Sequence, residues 1–291
     1  MSSPVLCLAS QVAAAPFRIA PESEERLHSL LEAKDVTLTI SDEPGFDISV
    51  GVRFGEVFIT ESALELLWAS AHAHFVFYQE YAAANSSGHT QYALGSSSRA
   101  RSAMKLLRWA LGKAKGTHMD PWPEEAVRPV EDPDHLSDGH VANELFLCAV
   151  AWALHHEIAH VAMQHSAGVA AVSLAQEKEA DLEATKHILL TAPEEPQRQK
   201  RALGIISAIL ALQYLDSPQN NGGNIPRTHP RAFERLAYCL DVHSWDPDCL
   251  VHAFALVLMQ IFMSEAGVTY ALEGESLSSV LYGFFTNLSR Q

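Results

Sequence analysis

The chain has 291 residues, 48% of them apolar, with 20 basic and 35 acidic side chains and a net charge of −15 at pH 7. That length holds one large domain or two modest ones, with ample material for a buried core. The acidic balance argues against a nucleic-acid-binding surface, which needs basic patches, and suits a protein that meets a basic peptide or partner.

The opening segment, MSSPVLCLASQVAAAP, has neither the basic n-region nor the apolar h-region of a secretory signal. Residues 26–33 read as a short helix. Residues 36–40 and 47–52 read as strands rich in β-branched side chains at alternating positions, and 56–60 as a third, joined to the second by a hairpin through Arg53-Phe54-Gly55. Thr60 is suited to cap a long helix over 61–84. A polar, Ser-rich loop covers 85–98, and a helix with a basic exposed face covers 99–113.

Residues 116–139 carry four prolines and several acids, and read as an extended surface segment. Everything after it reads as helical, over 140–166, 174–192, 196–215, 229–241, 247–266 and 276–289. The expected fold is therefore α+β and mostly α-helical, with a small N-terminal sheet or hairpin. Its expected parts are an α+β region at 1–115, a connecting segment at 116–139 and a helical core at 140–291. The apolar runs 145–154, 203–215 and 249–263 fall short of the roughly 20 residues that cross a bilayer, so no membrane span is expected. Cys7, Cys148, Cys239 and Cys249 show no CxxC spacing and read as free thiols in a reducing cytoplasm.

The chemistry concentrates in the first of the late helices, at His156-Glu157-Ile158-Ala159-His160. This is HExxH. Residues four apart on a helix lie one above the other, so His156 and His160 can aim two imidazole nitrogens at one point, as a zinc site needs. Glu157 is the next residue round the helix, placed to act on water as a general base without ligating the metal. Leu147, Ala151, Leu154, Ile158 and Val161 form one apolar stripe, and the histidines lie off it, facing an expected cleft. Asn143 or Gly139-His140 is expected to open the helix, and Ser166-Ala167-Gly168 to close it.

A second helix contains Gln176-Glu177-Lys178-Glu179-Ala180-Asp181. Glu177, Ala180, Asp181 and Ala184 share one face, and the small alanines allow close approach to the HExxH helix. Glu177 is the expected third zinc ligand, with Glu179 and Glu183 as competitors. Asp181 is placed one turn on to accept the second N–H of a ligating histidine.

HExxH followed by ExxAD resembles the gluzincin metallopeptidases. Thr228-His229-Pro230-Arg231-Ala232-Phe233-Glu234-Arg235 is similar to the THPxxxxR segment of the HtpX-like metallopeptidases, although the spacing from HExxH to the glutamate is shorter here. That resemblance implies roles near the active site for His229 and Arg235, in binding substrate or stabilising the oxyanion. In length and layout the chain also resembles the Lit phage-exclusion protease family. The resemblance covers 149–186 and 229–235, and implies a zinc endopeptidase of narrow specificity acting on a protein substrate. A hairpin near 47–60 could offer an edge strand to an extended peptide.

His155, His165, His187, His72 and His74 fall off the ligand face or in other helices, and read as structural. Two other classes fit the same pattern. One is a metal-binding sensor or regulator on a gluzincin-like core. The other is a helical interaction protein in which HExxH is accidental.

Overall fold

The computed structural model describes residues 3–34, 37–51, 56–88, 94–165, 174–216, 230–265 and 273–289. The fold is α+β and mostly helical, as expected, with one three-stranded sheet among the described residues.

The chain opens with an element that the sequence reading passed over. A 3-10 turn at Pro4–Leu8 runs into α1 (Ala9–Arg18). Val5, Leu8, Val12 and Ala15 are buried. Pro16 lies in the last turn, where a missing N–H costs one intrahelical bond. Its carbonyl lies 3.1 Å from Nε2 of His155. Helix α2 (Glu24–Lys34) follows.

The sheet consists of β1 (Thr37–Ser41), β2 (Ile48–Gly51) and β3 (Glu56–Thr60), in the order β1-β3-β2. β3 is parallel to β1 and antiparallel to β2. The predicted β2–β3 hairpin is thus present, while its turn at Arg53–Gly55 lies outside the described residues. Val57 and Ile59 of β3 point into the core with the two-residue period of a strand. Thr60 ends β3 and caps α3 (Glu61–Ser86), its Oγ1 accepting the Ala63 N–H at 3.2 Å.

After α4 (Ser98–Ala114), residues 115–137 run without a helix or strand but are tied to the core. Trp122 is buried against Trp68 and Trp109. The carbonyls of Val130 and Glu131 accept from Asn143 Nδ2 and Gln11 Nε2.

Helix α5 (Asp138–Ala162) is the centre of the molecule, packed by α1, α3, α6 (Leu174–Leu189), α7 (Glu195–Asp216) and β2. It starts and stops elsewhere than expected. Ser137 opens it, accepting the His140 N–H at 3.2 Å. Asn143 is instead a buried strut, taking the Trp68 indole N–H at 2.8 Å. The C-terminus comes at Ala162, where Gln164 takes φ of +55°. The His165 and Gln164 N–H groups then bond back to the carbonyls of His160 and Val161, at 3.0 and 3.2 Å. This is the Schellman arrangement that satisfies terminal carbonyls. Ser166–Gly168 lie outside the described residues.

Burial on almost every face of α5 replaces the single stripe expected from its periodicity. By length and composition α5 is also long enough to cross a membrane, longer than its apolar run 145–154 suggested, but 78% of its apolar window is buried inside the fold. Helices α8 (Ala232–Leu240), α9 (Leu250–Glu265) and α10 (Leu277–Ser289) complete the chain. One hydrophobic cluster runs from Val5 to Leu288.

Gly204 of α7 lies tight against α5. A Cβ there would stand 2.2 Å from the Cys148 Cβ and 3.0 Å from the Leu145 carbonyl. Gly204→Ala must push these helices apart, and should lower stability by about 1–3 kcal/mol, read from the urea unfolding midpoint.

Three core histidines make the fold acid-sensitive. Burial pushes His74 down to about 3 and His72 to about 4. Burial, with repulsion from His187, takes His155 to about 3. In the unfolded chain each titrates near 6.5, so between about pH 6.5 and 3 the unfolded state binds protons that the folded state refuses. Stability from these groups is intact above that window and falls as the pH drops through it. Neither ring nitrogen of His74 has a hydrogen-bond partner among the described residues. His74→Phe should therefore fold, and lose about 2 kcal/mol less than the wild type between pH 7 and 5, as measured by urea titrations at both pH values.

Candidate metal centre and active site

Two adjacent turns of α5 and the first turn of α6 build the site. His156 and His160 project from α5, and their Nε2 atoms stand 3.1 Å apart. Glu177 comes from α6 and faces both rings with a different oxygen each, Oε2 3.3 Å from His156 Nε2 and Oε1 3.5 Å from His160 Nε2. All three residues are buried, and these donor atoms lie within 4.8 Å of one another, a group that could hold a metal ion. Helix α6 comes this close because Ala180 and Ala184, both buried, line its inner face. The competitors for the ligand role are occupied elsewhere. Glu179 faces His165 at 3.3 Å, and Glu183 pairs with Arg26 at 3.1 Å.

Behind His156 lies Asp181, fully buried. Its Oδ1 is 2.9 Å from His156 Nδ1, a short contact angled away from the ring N–H axis. The rest of the carboxylate is taken by α8. Arg235 grips it with two bonds, Nη2 to Oδ1 at 2.6 Å and Nε to Oδ2 at 2.8 Å, and the Tyr238 hydroxyl donates to Oδ2. The guanidinium also lies over the Trp152 ring at 5.3 Å, while the Trp152 indole N–H donates to Thr185 Oγ1 at 3.0 Å. Arg235 is thus brought to the site from behind His156. Its planar fork suits a carboxylate better than an ammonium would. His229 lies outside the described residues.

The electrostatics follow from this packing. Burial alone would raise Asp181, but Arg235 and His156 overcome it and hold the carboxyl far below the usual range. Burial works against a charged His156 too, yet Asp181 and Glu177 hold its pKa up at about 9. Burial and the charge of His156 push His160 down to about 4. Glu157 is half-buried. Desolvation, with the nearby charges of Glu177 and Asp47, carries it up to about 7 against the pull of His156 and Arg235. Asp47 immediately precedes β2, so the edge strand begins within electrostatic reach of Glu157. Glu157, Glu177 and Asp181 thus surround the two imidazoles, with Arg235 pairing Asp181 from the far side.

Tyr238, Trp152 and His165 were absent from the sequence reading of the site. Tyr238 had a usable signal, three residues after Arg235 and so on the same face of its helix. Trp152 did too, one turn before His156 on α5. His165 had none, because its position depends on where α5 ends.

Comparison with known proteins places the chain among the peptidases. Residues 57–255, well over half of its length, match the family described as Peptidase U49, and the chain belongs to that family. It is 35% identical over 295 residues, spanning 100% of this chain and 99% of the relative, to a protein of Escherichia coli (strain K12) named cell death peptidase. No solved structure matches the chain significantly.

Removing Asp181 should be costly, since it strands Arg235 as a buried charge. Asp181→Ala is expected to lose about 3–5 kcal/mol of stability. Arg235→Met in the same background should recover much of it, and equilibrium urea unfolding of the two variants checks the pair.

Proposed function

We propose that the chain is a zinc-dependent endopeptidase of the gluzincin type, with His156, His160 and Glu177 as the metal ligands. The observation that carries this is the donor triangle. Zinc bonds of about 2.0–2.2 Å at tetrahedral angles set donor separations of about 3.3–3.5 Å. Here the two imidazole nitrogens stand 3.1 Å apart and Glu177 turns a different carboxylate oxygen to each, at 3.3 and 3.5 Å, with one donor atom from each residue within 4.8 Å of the others. Two imidazoles and a carboxylate are also a donor set that catalytic zinc takes, leaving room for a fourth ligand. When bound, the ion supplies a Lewis acid that polarises a carbonyl and makes water a stronger acid.

The protein's own groups do the rest. Glu157, beside the ligands but outside the triangle, is the group to take a proton from the attacking water and return it to the leaving amine. Asp181 orients His156, and Arg235 and Tyr238 hold Asp181, so both act as positioning residues. A role for His229 in stabilising the oxyanion rests on the THPxxxxR resemblance. β2, at the sheet edge and packed on α5, is the element to receive an extended stretch of substrate by strand pairing. The relative's name supports a protein substrate whose cleavage is damaging to the cell, in keeping with the phage-exclusion role that the resemblance to the Lit family implies.

Elemental mass spectrometry on purified protein tests this. The wild type should carry near one zinc per chain, and His156→Ala and Glu177→Ala should lose it. Glu157→Gln should keep the metal while cleavage of a host protein, followed by N-terminal proteomics, falls about 10²–10⁴-fold. A folded wild type that takes up no zinc on reconstitution overturns the reading, as does a Glu157→Gln protein that still cleaves.

A further inference from the structure

We propose that His165 and Glu179 form a hydrogen-bonded relay that fixes His160 as a metal ligand, making His165 a positioning residue for the site. The inference rests on the metal-site reading above and adds residues that no motif includes.

The geometry is specific. His165 is buried, and its Nδ1 lies 2.9 Å from Nδ1 of His160. Its Nε2 lies 3.3 Å from Oε2 of Glu179. Two imidazole nitrogens in a hydrogen bond need one N–H and one lone pair. For His160 to offer a metal the lone pair on Nε2, the neutral ring must carry its proton on Nδ1. That N–H must then donate to His165 Nδ1. His165 in turn must carry its proton on Nε2, where the Glu179 carboxylate accepts it. Each link selects the tautomer of the next, and the chain ends on the nitrogen that faces His156 and Glu177. Metal-bound histidines commonly have such a partner on the second nitrogen. His156 has Asp181 in that place, and His165 supplies it for His160.

The backbone makes the contact obligatory. Counted along a continuing helix, a residue five beyond His160 would point well away from it. Here the helix has already ended, and Gln164 at φ +55° reverses the chain. The His165 N–H bonds to the carbonyl of His160 itself, at 3.0 Å. The cap that closes α5 therefore lays His165 on the ring it serves. The Glu179 side chain is 63% exposed, so that outer link is the weaker one.

Zinc affinity, measured by competition with a chromophoric chelator, tests the relay, with thermal unfolding of the metal-free proteins as the structural control. His165→Leu, which removes the acceptor, should bind zinc about 10–100-fold more weakly than wild type. His165→Asn puts an amide oxygen near the place of Nδ1 and should stay within a few-fold of wild type. His165→Gln, whose oxygen falls near the place of Nε2, should bind more weakly than His165→Asn. Glu179→Ala should weaken binding only a few-fold. Wild-type affinity in His165→Leu, or equal losses in the Asn and Gln variants with unfolding midpoints unchanged, overturns the relay while leaving the zinc site standing. A wild type that binds no zinc overturns both.

Discussion

Asp181 is fully buried and charged, and a carboxylate in that position is stable only where donors converge on it. Arg235 and Tyr238 reach it from α8 and His156 from α5, while Asp181 itself stands on α6. One charge thus joins three helices, and it does so immediately behind a candidate metal ligand. The bidentate grip of Arg235 sets the plane of the carboxylate, whose Oδ1 lies 2.9 Å from His156 Nδ1. Glu177, one turn earlier on α6, then lands beside both Nε2 atoms.

This arrangement separates two tasks. The buried ion pair organises the helices, and His156, His160 and Glu177 gather in front of it as a group that could hold a metal ion. With its pKa held up at about 9, His156 is an imidazolium between the carboxylates of Asp181 and Glu177, and its charge, added to burial, keeps His160 neutral. The helix that carries both rings, α5, is covered on nearly all sides by α1, α3, α6, α7 and β2. β2 occupies one of these faces, so the helix that holds the candidate site also packs against the last strand of the sheet order.

Much of this was legible in the chain. The alternation in 56–60, the Thr60 cap and most of the long helices were found within a few residues of their observed ends. The His156–His160–Glu177 group was legible because helical spacing is short-range geometry. His156 and His160 must share a face, and so must Glu177 and Asp181. Where reading failed, non-local or terminal effects decided the outcome. α1 has no counterpart in the sequence reading, and it persists through Pro16 because it buries Val12 and Ala15. Asn143 looked like a cap, but Trp68, distant in sequence, claimed it as a buried partner. His165 was dismissed by counting residues along a helix that stops at Ala162.

By itself the sequence determined which side chains could act together, because spacing within one helix is dictated by 3.6 residues per turn and needs no knowledge of the rest of the molecule. It determined the HExxH pair, the Glu177–Asp181 face and the mostly helical class. Only the tertiary structure decided which of three nearby glutamates meets the histidines, that Arg235 serves Asp181, and that His165 lies on His160. Those outcomes depend on how α6 and α8 dock on α5 and on where α5 ends. Docking is selected by burial of alanine faces and by the pairing of one buried charge, interactions between residues far apart in the chain that no local pattern encodes.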